Sequence, residues 1–183
     1  MSDATKKHHA PFSVPSDPDT INELIASLGD HDGLVRQRAR HSLVAIGRPT
    51  APALVEALTD PNGHRRWEAA KALGAIRAPS AAPALVGAME DQDFGVRWLA
   101  AEALVGLERA GLAPLLQALA NHPDSVFMRE GAHHVCRMLV DHDLHDLVAP
   151  VLAALDGVEP VLEVPQAARA ALDELDKATG VPG

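Results

Sequence analysis

The chain has 183 residues, 47% of them hydrophobic, enough for one soluble globular domain with a substantial core. Only 3% are aromatic and Tyr is absent, so the core falls to Ala, Leu, Val and Ile, which close-packed helices use. A formal charge of -9 and dispersed Lys and Arg argue against nucleic acid, the lone Cys136 forms no intrachain disulfide, and no apolar run has signal-peptide or membrane-spanning length, so the expected compartment is the cytoplasm.

Residues 1–19, beginning "MSDATKKHHAPFSVPSDP", carry three prolines and little hydrophobic pattern, and are expected to form a disordered tail ahead of a domain over residues 20–178. "TINE" has the form of a capping box, with Thr20 accepting from the backbone and Glu23 reaching back, which predicts a helix from Ile21.

From there the sequence is periodic. Pro52, Pro83 and Pro114 stand 31 residues apart, and each opens an apolar segment as a first-turn proline: "PALVEAL", "PALVGAM" and "PLLQAL". Between them lie "VRQRARHSLVAI", "RRWEAAKALGAI" and "VRWLAAEALVGL", sharing Arg36, Arg66 and Arg97 and the small Ala39, Ala69 and Ala100. A looser copy, "MREGAHHVCRML", keeps Arg129 and Ala132; a last one, "VPQAARAALDEL", has Pro165 in place of Arg and is read as an end cap. Each unit is thus two helices, with the alanines at close helix contacts. Asp32, Asp60, Asp93 and Asp124 recur in the turns near the arginines, which predicts an Asp–Arg ladder fixing the stacking of units; the alternative is a set of solvated helix starts.

The run of Asp, Val-Arg, paired Ala, Ala-Leu and Pro-Ala-Leu resembles the short HEAT-like repeat of bacterial α-solenoid proteins, including bilin lyases, over about residues 21–177. The resemblance implies an all-α, right-handed solenoid of about five antiparallel helix pairs whose second helices line the concave face. It leaves function open, because such repeats serve as adaptors, lyase subunits and an iron-dependent hydroxylase. The solenoid hydroxylases hold iron through His-Glu pairs directly after the repeated Arg. Here those positions are Gln37-Arg38, Trp67-Glu68, Trp98-Leu99 and Glu130-Gly131, so no such iron site is implied. Solenoid DNA glycosylases must hold a polyanion, which this acidic chain opposes.

The tryptophans carry the functional reading. At about 100° per residue, Ala69 and Ile76 share the side of Leu73, whereas Trp67 and Lys71 fall roughly opposite. Trp98 and Glu102 repeat the arrangement. The exposed side of the second helices therefore reads Gln37 with His41, Trp67 with Lys71, Trp98 with Glu102, Glu130 with His134, and Gln166 at the end. Two neighbouring indoles predict an apolar strip that binds a protein or peptide, because tryptophan buries much area with few rotors. The competing reading has each indole lying over the next helix. In the alternative from family resemblance, a bilin lyase or lyase subunit, the strip holds a tetrapyrrole with Glu68, Glu102, Glu130 and His134 as polar contacts.

The stretch "AHHVCRMLVDHDLHDL" offers imidazole, thiol and carboxylate, yet His142 and His145 find no third or fourth ligand elsewhere, so no metal and no cofactor is expected. Cys136 lies in the column of Leu43, Leu73 and Leu104 and reads as core. With no phosphate loop, nucleophile elbow or other catalytic constellation, a non-catalytic interaction module is expected.

Overall fold

The computed structural model describes residues 16–141 and 143–179. Among them are ten α-helices and no strand: α1 (Pro18–Ser27), α2 (Gly33–Ile46), α3 (Ala51–Ala57), α4 (Gly63–Ile76), α5 (Ala82–Ala88), α6 (Phe94–Leu107), α7 (Arg109–Asn121), α8 (Val126–Leu139), α9 (His145–Leu155) and α10 (Pro160–Thr179). No helix among the described residues is long and apolar enough to cross a membrane. Residues 1–15 of the expected tail lie outside the described residues. The first helix begins at Pro18 rather than Ile21. Its cap is Asp17, whose carboxylate accepts from the Thr20 amide at 2.9 Å and from the Thr20 hydroxyl at 2.7 Å, and Pro18 needs no amide partner at that position.

The molecule is an all-α solenoid of two helical layers. The first helices α1, α3, α5 and α7 form one layer; the second helices α2, α4, α6 and α8 form the other, each packed on its neighbour in the series. Each second helix opens on a capping side chain: Asp32, Asn62, Asp93 and Ser125 accept amide hydrogen bonds at 2.6–3.1 Å. The alanine column is fully buried, with Ala69, Ala100 and Ala132 each 0% exposed. A Cβ built on Gly74 of α4 would lie 3.3 Å from the Ala103 Cβ of α6, so these helices meet at small residues. Ala100→Leu is expected to cost on the order of 1–3 kcal/mol, read as a lower urea midpoint, because a larger side chain must force α4 and α6 apart; an unchanged midpoint would contradict this packing.

The repeat loses regularity toward its end. Pro52 and Pro83 sit in the first turns of α3 and α5 after short 3-10 turns, as expected, but Pro114 lies inside α7, where the corresponding turn has joined the helix. The last pair changes layers. α9 packs on α8, while α10 packs mainly on α9 and α7, so the segment read as a fifth second helix covers the first-helix layer instead. Val164, Ala168, Ala171 and Leu175, one face of α10, are buried, and the Arg169 guanidinium donates to the Ala120 carbonyl of α7 at 3.1 Å. Gln166 therefore does not extend the second-helix face.

Second helices end on left-handed backbone at Gly47 (φ 82°), Arg77 (φ 52°) and Glu108 (φ 51°). Glycine tolerates this without a Cβ clash; Glu108, with ψ of -126°, does not. Glu108→Gly is expected to raise stability by about 1 kcal/mol, checked by urea denaturation, and a lowered midpoint would refute strain at this position.

Candidate functional site

The repeated arginines come first, because they set the frame. Each donates through Nη1 to carbonyls of the turn just before its own helix: Arg36 to Asp30 and His31, Arg66 to Asp60 and Pro61, Arg97 to Asp91 and Gln92, and Arg129 to Pro123. This corrects the expected Asp–Arg ladder. Asp32 and Asp93 cap helices, and Asp60 pairs with Arg65 at 2.5 Å. Burial works to raise the Asp60 carboxyl, but the Asn62 amide and the Arg65 and Arg66 guanidinia outweigh it and hold it below the usual range.

Cross-repeat pairing uses other acids. Arg66 forks onto Asp91 of the next turn at 2.6 and 3.1 Å, with both side chains 8% exposed. Hydrogen bonding to Asp91 holds the guanidinium above its ordinary value against the opposing effect of burial. Glu68 of α4 is buried between Arg40 of α2 at 2.5 Å and Arg36 at 3.6 Å. Glu68 is thus committed to holding two helices together, which removes it from the polar contacts expected under the tetrapyrrole reading.

The two indoles occupy different settings. Trp67 is half-buried over α6: a Cβ on Gly95 would stand 3.0 Å from its Nε1, and the Lys71 ammonium caps its ring at 4.5 Å. It lines a shallow groove with Arg36, His64 and Asp93. Gln37 and His41 are exposed further along on α2, the His41 ring 3.4 Å from the Arg40 guanidinium.

Trp98 is 46% exposed and belongs to a second, aromatic cleft between α6 and α8, about 130 Å³ in volume. Its ring stacks on Phe94, with centroids 6.4 Å apart, and meets the His134 ring at 4.4 Å. His134 in turn joins Glu102 of α6 through Nε2 at 2.6 Å, which ties the helices across the cleft. Phe127 of α8 supplies another wall beneath the Arg97 guanidinium, 4.0 Å from the ring centroid. Met89, 0% exposed, reaches the floor at Gly131, where any Cβ would collide with its terminal methyl. Glu130 also lines the cleft.

The structure thus gathers Trp98, Glu102, Glu130 and His134 at one place, and leaves Trp67, Lys71, Gln37 and His41 on the neighbouring helices. Phe94, Arg97 and Phe127 are wall residues that the helical-face reading passes over. The signal was composition: the chain has only three Phe and two Trp, and three of these five rings line this one cleft.

The histidine stretch has other attachments. His133 meets Asp156 of the turn after α9 at 2.9 Å, and His145 its neighbour Asp146 at 3.2 Å; His142 lies outside the described residues. Among the described residues no three His, Cys, Asp or Glu side chains gather as a ligand set. Cys136 is core, as expected, and burial pushes its thiol up to about 12.

No curated protein matches the chain. Among solved structures, the crystal structure of an engineered protein is similar at 22% identity, covering 86% of this chain and 79% of that one, with a TM-score of 0.43. A family model of HEAT repeats matches residues 51–135, the span from α3 into α8 that holds both indoles and the repeated Arg66, Arg97 and Arg129. Residues 51–135 are thus HEAT-like repeats within an all-α solenoid.

Proposed function

We propose that this solenoid is a non-catalytic binding module that takes a protein or peptide segment on its second-helix face, seated over the α6–α8 cleft. The observation that carries the reading is the exposure of Phe94 (68%), Trp98 (46%) and Phe127 (42%) around a single opening. Exposed rings on rigid helices offer contact area at low entropic cost, which is the property of an interface anchor. Glu102, Glu130 and His134 give the rim its polar contacts, and Trp67 with Lys71 extends the surface toward Gln37 and His41. HEAT repeats commonly serve as interaction scaffolds, which agrees with this use of the face.

The cleft admits one bulky side chain rather than a tetrapyrrole, since pockets that bury a ligand of that class run to several hundred Å³. The test is selection of displayed peptides on the full chain, followed by mapping of amide shifts on titration of a recovered peptide. Shifts are expected to concentrate on residues 94–102 and 127–134. Peptides that bind while shifting only the first-helix layer would overturn the assignment.

A further inference from the structure

The first two arginines of the repeated column have a carboxylate partner in the next repeat, which neither Arg97 nor Arg129 has among the described residues. Arg36 meets Glu68 of the following repeat, and Arg66 meets Asp91 of the following repeat. Arg97 is held by the Asp91 and Gln92 carbonyls and by the Phe127 ring, but no carboxylate pairs with it among the described residues.

The repeat register gives the reason. Asp91 stands six residues before its own repeat's arginine, and Glu68 stands two residues after. In the repeat that follows Arg97, these positions counted from Arg129 are Pro123 and Gly131. Neither carries charge, and Gly131 cannot gain a side chain without displacing Met89. The acid that each of the two preceding arginines receives from the next unit is thus missing at the third, and the place left open is the aromatic cleft, which Arg97, Phe127 and Gly131 all line.

We infer that the partner supplies this acid: the cleft takes a peptide segment that inserts one bulky apolar side chain beside a single Asp or Glu, whose carboxylate pairs with Arg97. This rests on the peptide-binding reading above and adds the chemistry of the partner. Arginine suits the role because its planar fork meets a carboxylate with two parallel hydrogen bonds while its face remains stacked on a ring. Glu130, which makes no ion pair among the described residues and lines the same cleft, disfavours a second anion, so an acidic run is not the preferred ligand. The chain's net charge of -9 opposes any acidic partner at a distance. At physiological salt, where the Debye length is about 8 Å, that opposition is screened and the short-range pair decides.

The experiment uses labelled ten-residue Gly/Ser peptides with one central Phe and, two residues on, Glu, Gln or Lys, titrated against the full chain by fluorescence anisotropy; a fourth carries Glu but Ala for Phe. The Glu peptide is expected to bind about tenfold more tightly than the Gln peptide, with Lys weaker than both and the Ala peptide weakest. Pro123→Asp restores the acid at the register of Asp91 and should pair with Arg97 internally. It is expected to bring the Glu-to-Gln ratio to about one without lowering the melting temperature. Equal binding of the three charge variants by the natural chain, or a Lys preference, overturns the inference and leaves the peptide-binding reading standing. An undiminished Glu preference in Pro123→Asp overturns the role of Arg97. If no peptide binds up to about 1 mM, the peptide-binding reading itself fails, and the inference with it.

Discussion

Arg66→Ala is expected to destabilise the protein by about 3–5 kcal/mol, far more than removal of any exposed charge pair. The side chain spans two repeats, stapling its own turn at Asp60 and Pro61 while forking onto Asp91 of the next. With both partners 8% exposed, truncation leaves Asp91 with a desolvated charge whose remaining contact is the Asp93 amide at 2.7 Å, and it frees two turn carbonyls. Arg65→Ala is the internal control. Its pair with Asp60 is more open, at 26% and 19% exposure, so a loss of about 1 kcal/mol is expected there. Urea denaturation of both variants checks the ordering, and equal losses would mean that the cross-repeat fork contributes no more than a surface pair.

Arg66 also shows how far the sequence could be read. The arginine column and the alanine column were legible because a repeat must present the same residue to the same contact in every unit. The partners of the arginines were not. Asp91 and Asp93 are two residues apart, and only three-dimensional placement assigns one to the fork of the preceding repeat's Arg66 and the other to the α6 cap. Glu68 sat on the outward side of the helical wheel next to Trp67, yet in a stacked array that side is partly covered by α2, and its carboxylate is spent on Arg36 and Arg40. A helical wheel gives direction from one axis; it does not say which neighbour stands there.

The same reason explains the last helix and the cleft. α10 keeps the alanine and leucine spacing of a second helix, yet its apolar face packs on α7 and α9, a choice of neighbour that the spacing does not encode. At the cleft, Trp98, Glu102, Glu130 and His134 were readable as exposed positions down successive helices. Phe94 and Phe127 open their helices rather than lie along them, and Arg97 was assigned to the structural column, so the wall of the site came into view only once α6 and α8 were placed side by side.

Trp67 and Trp98, which the sequence presents as equivalent, are expected to separate on truncation. Trp98→Ala should leave stability within about 1 kcal/mol, because the ring is 46% exposed and rests on Phe94 and His134, themselves accessible. Binding of a peptide selected on the natural chain should weaken by about 2 kcal/mol or more, since the indole is the largest ring of the cleft. Trp67→Ala should behave in the opposite way. Its half-buried ring lies on Gly95 under the Lys71 ammonium, so removal opens a gap between α4 and α6 and is expected to cost about 1–3 kcal/mol of stability, with peptide affinity changed less than threefold. Fluorescence gives an independent reading through single-tryptophan proteins. Trp67→Phe, which leaves Trp98 as the reporter, should emit at long wavelength, quench readily with iodide and shift to the blue as peptide is added. Trp98→Phe should emit further to the blue from the start and change little on titration. If Trp98 proves shielded from iodide in the free protein, or if its removal lowers stability as much as that of Trp67 while affinity holds, the cleft is packing and the binding face must lie elsewhere on the solenoid.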